Sequence, residues 1–135
     1  MNRKLVLLFF CLVAFSVFPA LAWASPRTVR IGIQSGASTG TIDSTGPIRY
    51  VDGKGRSQAA GSRATLECSS GRLLVNGQAV DFPVEFQGPA ALRLNGRPYR
   101  GNLRLVTDRT GFSVVNVIDV ESYLRGVLKI EVNPA

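Results

Sequence analysis

The chain offers few residues of the types that do chemistry. It has 135 residues and no histidine, which argues against a Ser-His-Asp or Cys-His catalytic site and against the usual zinc sites. Cys68 is the only cysteine outside the apolar N-terminal segment. We expect its thiol to be buried and unreactive, because no histidine is available to activate it. No metal and no cofactor are predicted.

Glu131 is the residue whose position needs a chemical explanation. The apolar residues before it recur at the spacing of one helical face, at Val120, Tyr123, Leu124, Val127 and Leu128. Glu131 occupies the next position of this stripe, so a continuous helix would turn its carboxylate toward apolar packing. Gly126 weakens the helix in its middle, which leaves open a shorter helix with Glu131 on a loop.

The other polar residues near this helix have structural explanations. Asp119 stands where a helix N-cap belongs, and Glu121 adds a favourable negative charge in the first turn. Asn116 interrupts an apolar face of the run Phe112 to Ile118, which we interpret as a central strand covered on both sides. A buried amide there either satisfies backbone groups or faces a site. Pro134 requires the helix to end by about Val132.

Regular turn signals predict the elements that position this helix. Asn76-Gly77 and Asn95-Gly96 are hairpin turns that need positive φ. Short apolar or alternating runs lie between these and similar turns, at residues 66–68, 72–75, 80–86, 91–94, 99 with 103–106, and 112–118. The sequence therefore predicts a mainly β fold, an antiparallel sandwich or barrel-like module of short hairpin strands with a short C-terminal helix.

The residues before this region are predicted to be less regular. Thr28 to Gln34 alternates as a half-buried strand, and Ile48 to Val51 forms a second one. Residues 35–46 and 56–63 are rich in small and polar residues, so both are predicted to be flexible loops. Residues 25–63 are thus interpreted as an N-terminal strand with loops, followed by a domain from residue 64 to residue 135.

Residues 1–24 have the pattern of a secretory signal peptide. Arg3 and Lys4 precede an apolar run that ends with the cleavage pattern Ala22-Trp23-Ala24. The alternative is an uncleaved membrane anchor, because about 18 apolar residues reach spanning length. In both cases the part of the chain after residue 24 is expected to be exported to the periplasm, cell wall or extracellular space. The net charge is +7, and removal of Arg3 and Lys4 with the signal segment leaves +5. This charge suits an anionic partner, a membrane surface or a cell-wall polymer, but the basic residues form no run, and no nucleic-acid partner is expected.

One set of spaced residues resembles a known family. The set resembles the stage II sporulation protein D and amidase enhancer (SpoIID/LytB) domain: Tyr99-Arg100-Gly101, then Leu103 and Val106, then Val115-Asn116-Val117, then Glu121, Tyr123-Leu124, Gly126-Val127 and Glu131. The spacing from the Val-Asn-Val strand to the glutamate matches without a gap. The likeness extends more loosely back to residue 64, and Val132-Asn133 replaces the methionine that follows the family's glutamate.

The resemblance implies an activity directed at peptidoglycan glycan strands. Sporulation members of the family are lytic transglycosylases that act on strands stripped of stem peptides, whereas amidase enhancers stimulate a cell-wall amidase. The match places Glu131 on the catalytic glutamate and suggests Asn116 and Tyr123 as substrate-binding residues. A non-catalytic module that binds peptidoglycan or an amidase, in part through Tyr99, is the alternative.

The family's domains continue well beyond this glutamate, whereas the chain ends at Ala135. The resemblance therefore covers only the N-terminal part of such a domain. An acid close to a chain end is expected to keep an ordinary pKa. We predict that this polypeptide by itself is weakly active or inactive.

Overall fold

The structure, a computed structural model, describes the backbone of residues 27–132 and the side chains of residues 27–129. Ten strands and one helix make up this part of the chain. They are β1 (Thr28–Ala37), β2 (Thr39–Val51), β3 (Ser57–Ser69), β4 (Arg72–Val75), β5 (Gln78–Val80), β6 (Val84–Gln87), β7 (Leu92–Leu94), β8 (Arg97–Tyr99), β9 (Asn102–Thr107), β10 (Phe112–Asp119) and α1 (Val120–Val132). The predicted signal segment lies outside the described residues.

All of the described strands belong to one antiparallel sheet, in the order β1-β10-β9-β6-β2-β3-β4-β5, with β7 and β8 as a side hairpin on β2. β1 and β2 follow each other with a break only at Ser38. Because β1 pairs with β10 while β2 pairs with β6, this bent segment meets both ends of the β10-β9-β6 group. The prediction of a mainly β, antiparallel fold with a short C-terminal helix is confirmed.

The Asn-Gly turns have the predicted backbone conformation. Asn76 and Asn95 have φ values of 50° and 49°, and the glycines that follow them have 82° and 86°. Positive φ at both central positions matches the right-handed twist of the strands on either side. These turns close the β4–β5 and β7–β8 hairpins.

The prediction of two flexible loops in the N-terminal part was wrong. Residues 39–51 form β2 and residues 57–69 form β3, which pair with each other along most of their length. Small polar residues carry no local strand signal, but their backbone groups pair with a neighbouring strand. The irregular sequence is accommodated by register shifts between Asp43 and Ile48 and next to Gly61. β3 also runs through residue 64, where the sequence suggested a boundary.

One hydrophobic core fills the inner side of the sheet. Phe86, Phe112, Leu103 and Leu105 are fully buried there, together with residues from the side hairpin. The strand β10 is central, as predicted, but only one of its faces is covered. Val115 and Val117, which alternate with the core residues, are half-buried on the opposite side. We call this opposite side of β10, β9, β6 and β2 the outer face.

Candidate functional site

The helix that carries Glu131 is fixed to the sheet at its first residue. The N–H of Val120 donates to the carbonyl of Arg27 at 3.0 Å, and the N–H of Ser122 donates to Asp119 Oδ1 at 2.9 Å. Asp119 is therefore the N-cap, as predicted. The hydrogen bonds from Ser122 hold the pKa of Asp119 below its usual value. The strand and helix are thus joined without a loop.

Glu131 lies in the last turn of this helix. α1 continues through Gly126 to Val132, so the alternative of a helix that stops at Gly126 was wrong. The ion pair between Arg125 and Glu121, at 3.3 Å, spans one turn on the exposed side and adds a small stabilisation. Glu131 therefore has a regular helical backbone.

Three of the five residues of the apolar stripe of α1 are exposed, whereas Val120 and Val127 are half-buried. Tyr123, Leu124 and Leu128 have 38%, 49% and 55% of their surface exposed, which contradicts the expectation of apolar packing. Among the described elements, the helix contacts mainly β10 and β1.

The three residues predicted from the resemblance are not brought together in one pocket. Asn116 is a buried strand residue with 6% exposure, whereas Tyr123 is exposed on α1. Eight residues of helix separate Tyr123 from Glu131, which corresponds to about 12 Å along the axis. The substrate-binding roles of Asn116 and Tyr123 therefore stay predictions.

Asn116 has a structural function that the sequence left open. Its Nδ2 donates to the carbonyl of Arg100 at 2.7 Å and to the carbonyl of Asn102 at 3.1 Å. Between these carbonyls lies Gly101, with a φ of 80°, where a Cβ atom would collide with the carbonyl oxygen of Val117. The amide thus ties the start of β9 to β10, which explains why these residue types occur together.

The outer face contains a groove that was not predicted from the sequence. It has a volume of about 540 Å³ and is lined by Pro47, Ile48, Arg49, Ala59, Gly61, Gln87, Gly88, Pro89 and Asn102. These residues come from four separate parts of the chain, and no spacing in the sequence links them. We call it the outer groove. The turn around Gly88 forms one wall, where a Cβ atom would come within 2.9 Å of the carbonyl oxygen of Pro47.

Two other aspartates stabilise turns and have no arrangement suited to catalysis. Burial raises the pKa of Asp52, but hydrogen bonds from the backbone and side chain of Arg56 and from the N–H of Lys54 outweigh it and lower the pKa. Asp108 accepts hydrogen bonds from Ser113 Oγ at 2.6 Å and from the N–H of Gly36 at 3.0 Å. These bonds lower the pKa of Asp108, and the hydrogen bond from Ser113 has the largest effect.

Residues 27–129 contain no group of three or more acidic, cysteine or histidine side chains that could hold a metal ion. Cys68 is a free thiol, half-buried against the core. Within the described part of the chain, no helix is long and apolar enough to span a membrane.

Comparisons with protein-family models, with curated proteins and with solved structures found no match to this chain.

Proposed function

We propose that this chain is an exported protein directed at peptidoglycan glycan strands, with Glu131 as the single acid and base of a lytic transglycosylase-type site. The proposal starts from the resemblance of residues 99–131 to the SpoIID/LytB domain. The observation that carries it is the position of Glu131 on a continuous helix with an exposed apolar face. Large apolar side chains exposed side by side on one element commonly mark a surface that binds a ligand or another protein.

The attachment of α1 to the sheet supports a positioning role for the helix. Its start is held by the Asp119 cap and by the backbone bond from Val120 to Arg27. β10, from which it continues, lies between β1 and β9. A catalytic group must be held in a defined geometry to be effective, and a capped helix on an inner strand meets that need better than a loop does.

A single carboxyl group can perform the proposed reaction. Glu131, in its protonated form, would donate its proton to the glycosidic oxygen that leaves. Its carboxylate would then accept the proton of the muramic acid 6-hydroxyl as this oxygen closes the anhydro ring. The second carboxylate of most glycosidases is not needed, because the nucleophile belongs to the sugar.

The exposed stripe of α1 explains why we expect only slow turnover. A proton donor near neutral pH needs a raised pKa, and desolvation by apolar surroundings is a common cause. Leu124 and Leu128 remain half exposed, so the stripe to which position 131 belongs is open to water. A ligand or protein that covers this stripe would exclude water and favour the protonated acid.

The test is cleavage of glycan strands that carry no stem peptides. The purified protein is incubated with such strands, and products with anhydro ends are measured by mass spectrometry. We expect slow formation of these products by the wild type, none by Glu131→Gln, and wild-type amounts by Glu121→Gln. The Glu121→Gln variant is the matched control, because it removes the same charge from the same helix. Equal amounts from the wild type and Glu131→Gln, or none from the wild type, would reject the catalytic role.

The outer groove favours a second candidate, a non-catalytic module that binds peptidoglycan or enhances an amidase. Arg49 in this groove is exposed and has no acidic partner within residues 27–129. Retention of the protein on purified sacculi tests this candidate. Retention no greater than that of an unrelated protein of equal net charge would remove it.

A further inference from the structure

The outer groove combines side chains that the strand register places in one row. Gln87 lies opposite Arg49, and Ala59 lies opposite Arg49 on its other side. Phe86 pairs with Leu103, which brings Gln87 next to Asn102. Directly opposed residues point to the same face of a sheet. The row Asn102, Gln87, Arg49 therefore crosses three adjacent strands on the outer face.

The charge of this row is positive, and its one cation, Arg49, has no acidic partner within residues 27–129. None of the described residues that line the groove is acidic. The Arg49 guanidinium donates only to Ser57 Oγ, at 3.3 Å, in the described hydrogen bonds. By contrast, the neighbouring Arg104 is paired with Glu85 at 3.6 Å, which also accepts from Asn102 Nδ2 at 2.9 Å. Arg49 is thus able to bind an anion, whereas the charge of Arg104 is neutralised by Glu85.

The remaining lining of the groove is apolar and stiff. Pro47, Pro89 and Ala59 offer aliphatic surface, and Gly61 leaves open space beside them. The fixed φ of the prolines limits movement of the wall. A site with aliphatic walls, two amide side chains and one guanidinium suits a ligand with hydroxyl or acetamido groups and one carboxylate.

We propose that the outer groove is a binding site for a sugar unit that carries a carboxylate, with Arg49 as the residue that selects it. A guanidinium forms paired hydrogen bonds with a carboxylate, and Gln87 and Asn102 hydrogen-bond to the hydroxyl and acetamido groups. This inference rests on the proposed function for the identity of the polymer. In a glycan strand of peptidoglycan the muramic acid carboxylate is free only where the stem peptide has been removed.

The test uses two soluble probes and two matched variants of the full chain. The probes are a disaccharide of N-acetylglucosamine and N-acetylmuramic acid with a free carboxylate, and the same disaccharide with that group as an amide. The variants are Arg49→Gln and Arg63→Gln, which remove the same charge. Arg63 is exposed on β3 and is not among the groove residues. Binding is measured by calorimetry after the fold of each variant has been checked by circular dichroism.

We expect the wild type and Arg63→Gln to bind the free acid equally, and Arg49→Gln to bind it on the order of tenfold more weakly, the loss typical of one charge-assisted contact. The amide probe should bind to the wild type and to Arg49→Gln with the same, weaker affinity. The inference is overturned if the wild type does not discriminate between the probes, or if the two variants lose equal affinity.

The outcome is separable from that of the proposed reaction. Anhydro products that depend on Glu131, with no effect of Arg49→Gln on binding, would reject the groove and keep the catalytic role. Selective binding through Arg49 without such products would keep the groove and reject the catalytic role.

Discussion

Replacing Asn116 by alanine would measure the contact that joins β9 to β10. The variant removes the hydrogen bonds to the carbonyls of Arg100 and Asn102, at 2.7 and 3.1 Å. Each such bond contributes roughly 0.5–1.5 kcal/mol net, and a buried carbonyl left without a partner costs about 1–3 kcal/mol. Asn116 itself is 6% exposed, so the variant removes an amide that is largely closed to water. We expect the free energy of unfolding to fall by about 2–4 kcal/mol.

The assay is urea unfolding of the wild type and the variant, followed by circular dichroism. With a slope of roughly 2 kcal/mol per molar urea for a small protein, the midpoint should fall by about 1–2 M. Asn102→Ala is the control, since its half-exposed side chain donates to the surface residue Glu85, and its loss should stay below about 1 kcal/mol. A loss for Asn116→Ala no larger than that of the control would refute the structural explanation of this residue.

Two further predictions concern turns. Hydrogen bonds lower the folded-state pKa of Asp108, so its contribution to stability is present above the unfolded-state pKa of about 3.9 and is lost as the pH falls through the folded-state value. Unfolding midpoints measured between pH 2 and pH 7 should therefore fall more steeply on acidification for the wild type than for Asp108→Asn. Identical slopes would contradict this prediction. Gly101→Ala should lose more stability in chemical unfolding than Gly77→Ala. Both glycines have φ near 80°, a conformation that costs a residue with a side chain about 1–2 kcal/mol. Of these two positions, it is Gly101 where an added Cβ atom would collide with the backbone. Equal losses would show that this close approach is relieved by a small backbone shift.

The exposed stripe of α1 distinguishes the two candidate functions physically. Catalysis by Glu131 would be favoured by a cover over the helix, because desolvation raises the pKa of a carboxyl group. Binding through the outer groove needs no such cover, since a guanidinium keeps its charge at every physiological pH. If both proposals hold, binding through Arg49 should persist under conditions in which turnover by Glu131 is slow.

Several features followed from the sequence because their causes are local. The Asn-Gly turns need positive φ wherever they occur, and Asp119 caps a helix through a hydrogen bond to Ser122, three residues away. The alternation of apolar residues likewise indicated strands, and the helical stripe placed α1 correctly. Interactions between residues close in the chain are fixed by side-chain chemistry alone.

Other features were decided by the tertiary structure because their causes lie far apart in the chain. The pairing of β2 with β3 turned two segments without a local signal into strands. Asn116 acquired its partners from a chain segment 14 and 16 residues away. The outer groove exists only because β2, β3, β6 and β9 are neighbours in the sheet. The sequence by itself determined that an acid ends the apolar stripe of the helix. The structure decided that Tyr123, Leu124 and Leu128 of this stripe are exposed and that an arginine without an acidic partner among residues 27–129 lies in a groove elsewhere, because non-local backbone pairing sets which surfaces are covered.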